Sequence, residues 1–116
     1  PDKLFTDRVR LLARRFLGAG AVTQSDIAHV LSVHPKTLQR RLLKEGHRFN
    51  DILDEVRQDR FLELLGQPTE LSLTQLALML GYSEQAALTR SCKRWFGRTP
   101  TELRSQVAAA SSPPRE

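Results

Sequence analysis

Apolar residues recur along most of the chain at steps of three and four positions, which is the period of an amphipathic helix. The pattern predicts about seven helices, of which the longest covers residues 49–65. The other predicted helices cover residues 4–17, 23–31, 35–45, 73–80, 84–96 and 101–107. No useful length of chain alternates apolar and polar residues with the period of two that marks a strand. We therefore expect an all-α fold.

Several predicted helix ends carry residues that favour starting a helix. Thr23 with Asp26 has the spacing of a capping box, in which a side-chain oxygen accepts from a backbone N–H of the first turn. Ser72 begins a second pattern of this kind. Pro35 suits the first position of a helix, where its missing N–H is no loss. Asn50 is expected to cap the longest helix, and Thr99 the last one.

One pattern occurs twice in the chain. Residues 26–33 align with residues 75–82, so that Ala28 meets Ala77 and Ser32 meets Gly81. In each copy a short apolar helix leads through a tight turn into a polar, basic helix. The positions expected to be buried in the apolar helices are Ile27, Ala28, Val30, Leu31, Leu73, Leu76, Ala77 and Leu80. Two helices about a short turn form a helix-turn-helix, whose second helix can enter a DNA major groove.

The second copy carries the most specific sequence, GYSEQAALTRSCKRWFGRTPTELR at 81–104, and the first copy carries TLQRRLLKEG at 37–46. Through these segments the chain, over about residues 5–107, resembles the DNA-binding domain of the AraC/XylS family of bacterial transcription regulators. The resemblance implies two homeodomain-like helix-turn-helix subdomains in tandem, at 1–48 and 66–107. A linker helix at 49–65 would join them, and residues 108–116 are predicted to be a disordered tail.

Four positions depart from the family's pattern. Leu88 and Cys92 stand where the family usually has phenylalanine, and Phe61 stands where it often has alanine. These three changes affect core packing, not the fold. His34 replaces a frequent serine, so we expect a weaker cap at the start of the third helix.

The resemblance also implies which side chains meet DNA, with the two recognition helices in neighbouring major grooves. The expected base-reading positions are Lys36, Gln39, Arg40, Gln85, Ala86, Ala87 and Arg90. Arginine can bond a guanine at two points and glutamine an adenine, whereas alanine can only contact a thymine methyl or permit close approach. The expected phosphate-binding positions are Ser25, Thr37, Thr74, Lys93, Arg94 and Thr99. For each position, the alternative is a solvated helix face or a capping role.

The charge balance favours an anionic partner. The chain has 18 Lys and Arg residues against 13 Asp and Glu, a net charge of +5, which is typical of nucleic-acid binding but also occurs in proteins that bind none. Cys92 is the only cysteine, so no intrachain disulfide can form, which fits a reducing cytoplasm. No apolar run approaches the ~18 residues of a membrane span. We expect a cytoplasmic protein.

Other chemistry finds little support in the sequence. His29, His34, His47 and Cys92 do not have the spacing of a zinc site, so we expect no metal or other cofactor. The carboxylates of the longest helix, Asp54, Glu55, Asp59 and Glu63, are expected to be exposed and not catalytic. Because no nucleophile is paired with a base, we do not expect an enzyme.

Two hypotheses remain. The first is sequence-specific binding of double-stranded promoter DNA by the DNA-binding domain of a transcription regulator. The second is a helical interaction module that kept the fold, lost DNA binding and docks RNA polymerase. Because the chain begins with Pro1 and not Met, we expect it to be a piece of a longer protein. Its effector-binding and dimerisation domain would then lie outside this chain.

Overall fold

The structure is a computed structural model that describes residues 4–20, 22–67 and 70–111. These residues form seven α-helices and no strand, which confirms the all-α prediction. A short 3₁₀ turn at Leu17–Ala19 follows the first helix. The helices are α1 (Leu4–Phe16), α2 (Gln24–Val30), α3 (Pro35–Lys44), α4 (Phe49–Leu65), α5 (Leu73–Met79), α6 (Gln85–Phe96) and α7 (Pro100–Ser111).

The helices form two groups, one of α1, α2 and α3 and the other of α5, α6 and α7. Helices α1, α2 and α3 contact one another, and α6 contacts both α5 and α7. Helix α4 packs against α1. The buried apolar residues form one cluster that extends from Phe5 to Cys92, so the core continues through both groups. The predicted subdomain boundaries, after residues 48 and 65, therefore stay a prediction.

The α2–α3 and α5–α6 pairs have the same local geometry, as the repeat predicts. Ser32 and Gly81, which the alignment equates, both have positive φ, 56° and 84°. One residue later in each copy, a backbone N–H donates at 3.0 Å to the carbonyl of Ala28 or Ala77. Both alanines are fully buried. The two copies are thus two helix-turn-helix units built in the same way.

Hydrogen bonds at the helix starts confirm most of the predicted caps. Thr23 and Asp26 exchange bonds of 3.1 and 3.0 Å, and Ser72 forms the equivalent box with Gln75. Thr99 caps α7 and completes a third box, in which its N–H donates to Glu102 at 3.1 Å and its hydroxyl accepts at 3.2 Å.

The prediction about one cap is wrong, and the weaker cap expected from His34 stays a prediction. His34 does cap α3, because its Nδ1 accepts from the Lys36 N–H at 3.1 Å. Asn50 does not cap α4, because the helix begins one residue earlier, at Phe49, and Arg48 takes the cap position without a side-chain bond.

The last helix and one apolar position also differ from the prediction. Helix α7 continues to Ser111, so residues 108–111 are helical and not part of a disordered tail, while residues 112–116 lie outside the described residues. Three consecutive alanines, the best helix formers, explain the extension. Val30 is 48% exposed, because the buried arc of α2 is centred on Ile27, Ala28 and Leu31. Two further residues that were predicted to be buried are only partly buried, namely Leu31 and Leu73.

Candidate nucleic-acid interface

Helix α3 presents the predicted base-reading side chains of the first unit to solvent. Leu38 and Leu42 are fully buried on its inner side. Lys36, Gln39 and Arg40 are exposed on the other side. A helix that is buried along one side and polar along the other can lie in a major groove without unfolding any of its neighbours.

Contacts at both ends hold α3 in place. At its start, Gln24 of α2 donates from Nε2 to the Pro35 carbonyl at 3.0 Å. At its end, Glu45 accepts from the Thr6 N–H and hydroxyl, at 2.9 and 2.6 Å. The hydrogen bond from the Thr6 hydroxyl is the main cause that lowers the pKa of Glu45 below its ordinary value. Because Thr6 lies in the first turn of α1, Glu45 also provides an acceptor for a helix N–H that has no partner within α1.

Helix α6 presents the corresponding side chains of the second unit. Leu88 and Cys92 are fully buried, and burial raises the pKa of the Cys92 thiol to about 11. Gln85, Ala86 and Arg90 are exposed, while Ala87 is only partly exposed. The polar face therefore points outwards at the positions predicted to read bases.

Arg90 is available for a ligand even though a carboxylate lies near it. Its guanidinium is 3.8 Å from the Glu84 carboxylate, and the two side chains are 68% and 64% exposed. An exposed pair of this kind contributes little to stability. Releasing it for a nucleic-acid contact costs correspondingly little free energy.

The predicted phosphate-binding hydroxyls differ in their surroundings. Ser25 and Thr74 are exposed in the first turns of α2 and α5, at positions that the repeat equates. The Thr74 hydroxyl also lies 3.5 Å from Gln85 Oε1. Thr37 is partly buried in the first turn of α3. Thr99 uses its hydroxyl as the cap of α7, which leaves less of it for a phosphate.

The two predicted phosphate-binding cations of α6 face different surroundings. Lys93 is exposed. Arg94 pairs with Asp54 of α4, and its guanidinium lies 5.8 Å from the centre of the Trp95 ring. The Arg94 side chain nevertheless remains 58% exposed. The structure thus gives Arg94 an internal partner that the sequence did not suggest.

Three of the four α4 carboxylates that were predicted to be exposed pair with an arginine. Asp54 is partly buried and accepts from Trp95 Nε1 at 2.9 Å in addition to Arg94. Glu55 pairs with Arg10 at 2.9 Å. Glu63 pairs with two arginines, Arg14 at 2.6 Å and Arg60 at 3.1 Å, and the bond from Arg14 is the main cause that lowers the pKa of Glu63. Glu55, Asp59 and Glu63 are exposed as expected, and only Asp54 of the four is partly buried.

The pairs between α1 and α4 could not be predicted from the sequence, because they join residues far apart in the chain. Arg10 and Arg14 lie on α1, more than 40 residues from their partners on α4. The spacing of the two arginines is the one feature of the sequence that indicates a shared contact surface. Arg10 and Arg14 are four residues apart, and side chains at this spacing lie on the same helix face. Together they bind the outer side of α4 to α1.

Neither a metal site nor a membrane span is found in the part of the chain that the structure describes. No group of three or more His, Cys, Asp or Glu residues among residues 4–20, 22–67 and 70–111 is placed to hold a metal ion. Within the same ranges, every helix is too short or too polar to cross a bilayer.

Known sequences and structures resemble this arrangement. A family model described as a helix-turn-helix domain matches residues 27–106. The HTH-type transcriptional regulator VirS of Mycobacterium tuberculosis is 48% identical over 104 residues. That match covers 90% of this chain and 30% of VirS, so the chain spans less than a third of the length of this relative.

Two solved structures share the fold over nearly the whole chain. A DNA-binding transcriptional dual regulator from Escherichia coli K-12 superposes with a TM-score of 0.79 at 26% identity, covering 88% of this chain and 90% of that one. An AraC-type DNA-binding domain-containing regulator from Chromobacterium violaceum gives 0.67 at 26% identity, covering 89% and 95%. With two matching helix-turn-helix units and these relatives, the chain belongs to the AraC-type helix-turn-helix family, in which it corresponds to the DNA-binding domain of a transcription regulator.

Proposed function

We propose that this chain binds a specific double-stranded promoter sequence by placing α3 and α6 in neighbouring major grooves on one face of the duplex. The observation that carries the proposal is the equivalent exposure of Arg40 and Arg90. The repeat equates these two arginines, and both point away from the buried sides of their helices. A duplicated unit with the same exposed cation in both copies suits a ligand that itself repeats, such as successive turns of a duplex.

The dimensions of the molecule are compatible with this mode of binding. Centres of successive major grooves on one face of B-DNA are about 34 Å apart, or about 10 bp. The described part of the chain is 58 Å long and 30 by 22 Å across. It is therefore long enough to contact two grooves. A mismatch between the separation of the helices and the pitch of straight DNA would be absorbed by bending, at a cost of a few kcal/mol.

The roles of individual side chains follow from their chemistry. Gln39, Arg40, Gln85 and Arg90 would supply most of the discrimination between bases, with Lys36 beside them. Ala86 and Ala87 would permit close approach or contact thymine methyls. Ser25, Thr37, Thr74 and Lys93 would bind phosphates, together with the N-terminal N–H groups of their helices. Arg94 and Thr99 would contribute less, because Asp54 and the cap of α7 already engage them.

The proposed division of the chain follows from these roles. Residues 1–48 would form the first reading subdomain and residues 66–107 the second, with the linker helix at 49–65 between them. We assign no catalytic step and no cofactor to this chain. We also propose that the chain acts in the cytoplasm, where promoter DNA is found in bacteria.

The alternative is a helical module that binds RNA polymerase and not DNA. The net charge of +5 and the basic outer faces of α3 and α6 favour DNA over an apolar protein interface. A complete regulator could use both partners, with the polymerase contact made beside the DNA-binding face.

A gel-shift titration against promoter DNA at several salt concentrations tests the proposal. A protein that neutralises about six phosphates loses affinity with a slope of about −5 in log K against log salt. We expect a steep slope of this kind, together with tighter binding to promoter fragments than to a scrambled duplex of equal length. Weak binding that does not respond to salt would reject DNA as the partner. Arg15→Ala removes an exposed arginine of α1 that lies outside both helix-turn-helix units. This variant is the control for a change of net charge alone.

A further inference from the structure

Arg57 joins the linker helix to the turn of the second unit. From the middle of α4 it donates from Nε to the Leu80 carbonyl at 2.8 Å. Its guanidinium carbon also lies 4.4 Å from the centre of the Tyr82 ring. Leu80 and Tyr82 flank Gly81, the residue with positive φ at which the chain turns from α5 towards α6. One side chain of α4 therefore holds both sides of this turn.

The contact continues from the turn into the second recognition helix. The Tyr82 hydroxyl lies 2.5 Å from Ser91 Oγ, within hydrogen-bonding distance. Ser91 is only 4% exposed and lies on the inner side of α6. Arg57, Tyr82 and Ser91 thus form a continuous path from the linker helix to the helix that is proposed to read the second half-site.

The backbone between α1 and α2 meets the other side of the same turn. A Cβ atom added at Gly81 would lie 3.0 Å from the Leu17 carbonyl oxygen and 3.2 Å from that of Gly20. It would also lie 3.5 Å from a terminal nitrogen of Arg57. The turn of the second unit is therefore confined between α4 and the connection that joins α1 to α2.

Further side-chain contacts join α4 to α6 and to α1. Asp54, one helical turn before Arg57, accepts from Trp95 of α6 at 2.9 Å. Side chains three residues apart lie on the same helix face, so Asp54 and Arg57 hold α6 from one side of α4. Glu55 is bound to Arg10 of α1 at 2.9 Å. Helix α4 is thus attached through side chains to α6 and to α1, and α1 in turn packs against α2 and α3.

We propose that Arg57 is a positioning residue, which fixes α6 relative to α3 and thereby sets the half-site spacing that the chain accepts. The inference rests on the proposed two-groove function. Arginine suits this position because its planar guanidinium can donate a directed hydrogen bond and stack on an aromatic ring at the same time. Lysine carries the same charge but has no planar group to stack.

Binding to operators of altered spacing tests the role of Arg57. The operator is first selected from random DNA with the wild-type chain, and then remade with one base pair inserted between its two half-sites. The insertion moves one half-site by about 3.4 Å and rotates it by about 35°. The readout is the ratio of the Kd for the lengthened operator to the Kd for the selected one.

We expect the wild-type chain to bind the lengthened operator roughly tenfold more weakly, because the DNA must deform to fit a fixed pair of helices. Arg57→Ala should bind the selected operator more weakly, and its ratio should fall by roughly threefold towards one, because the helices are no longer held at one separation. Arg57→Lys, which keeps the charge and most of the volume, should shift the ratio in the same direction. If Arg57→Ala does not fold, the Arg57→Lys variant still tests the proposal.

The matched control is Arg60→Ala, one turn further along α4, where the arginine pairs with Glu63 of its own helix. Its spacing ratio should equal that of the wild-type chain. Arg57 variants that bind less tightly but keep the wild-type ratio would overturn the positioning role and leave only a role in stability or charge. A wild-type chain that binds both operators equally would instead overturn the two-groove function, and this inference with it.

Discussion

Glu45, at the end of α3, accepts two hydrogen bonds from Thr6, in the first turn of α1. Beside this contact, the Arg41 guanidinium lies 3.9 Å from the centre of the Phe5 ring. The pair joins residues 39 positions apart and fixes the end of the first recognition helix to the first helix of the chain. It also makes the stability of the first unit dependent on the charge of one carboxylate.

Acid should therefore destabilise the protein. The hydrogen bond from the Thr6 hydroxyl holds the pKa of Glu45 below its ordinary value of 4.5. A lowered pKa in the folded state adds stability above the ordinary value, and this stability is lost as the pH falls through the folded value. We expect the urea midpoint to fall below about pH 4.5, and Glu45→Gln to lower the midpoint at neutral pH and flatten the decline.

Part of the acid response should remain in Glu45→Gln. The pKa values of Asp26, Glu63 and Glu102 are also lowered, mainly by hydrogen bonds from Thr23, Arg14 and Thr99. Glu70→Gln, at an exposed position, is the control and should behave as the wild type does. A Glu45→Gln variant whose pH profile matches the wild type would show that the Thr6 contact contributes nothing to stability in solution.

Loss of the His34 cap should destabilise the first recognition helix. Because His34 Nδ1 accepts from the Lys36 N–H, we expect His34→Ala to lower the free energy of unfolding by about 1 kcal/mol. Urea denaturation monitored by circular dichroism measures the change. His29→Ala, at an exposed helical position without a capping role, should stay within about 0.5 kcal/mol of the wild type. Equal losses in both variants would argue against a specific cap.

The Cys92 thiol should be nearly inert in the folded protein. The side chain is fully buried, and burial raises its pKa to about 11, so only about one molecule in a thousand carries the reactive thiolate at pH 8. We expect Ellman's reagent to modify Cys92 slowly under native conditions and quickly in urea. Fast modification of the native protein would mean that α6 separates readily from the core.

The two exposed arginines should each govern their own half-site. Arg40→Ala and Arg90→Ala should each cost roughly 1–3 kcal/mol at one base pair and relax the base preference there. Lys93→Ala should instead weaken binding to all sequences alike and reduce the salt slope by about 1. Affinities for a set of single-base operator variants separate these outcomes. If Arg40→Ala weakened all operators equally, Arg40 would be a phosphate contact and not a base-reading residue.

Features with a local cause could be predicted from the sequence. The equivalence of Ser32 and Gly81 was visible in the alignment of the two copies, and both residues turn the chain with positive φ. The Thr23 and Ser72 capping boxes were visible because a box spans only four residues. The outward orientation of the basic side chains followed from helical periodicity.

Features that depend on distant parts of the chain could not be predicted. Periodicity indicates which side of a helix is buried, but not which element covers it. Periodicity therefore predicts a solvated carboxylate at Asp54, whereas Trp95, 41 residues away, donates to it. Its residue type favours Asn50 as a cap, whereas Arg48 takes the cap position of α4. The role of Arg57 likewise depends on where the turn after α5 lies in space.

Selection of bound duplexes from a random DNA pool, using this chain, shows whether α3 and α6 read neighbouring major grooves. We expect two enriched blocks whose centres are about 10 bp apart. Repeating the selection with Arg40→Ala should blur one block, and with Arg90→Ala the other. A single enriched block, or two blocks that both variants change together, would contradict the claim that α3 and α6 read neighbouring major grooves.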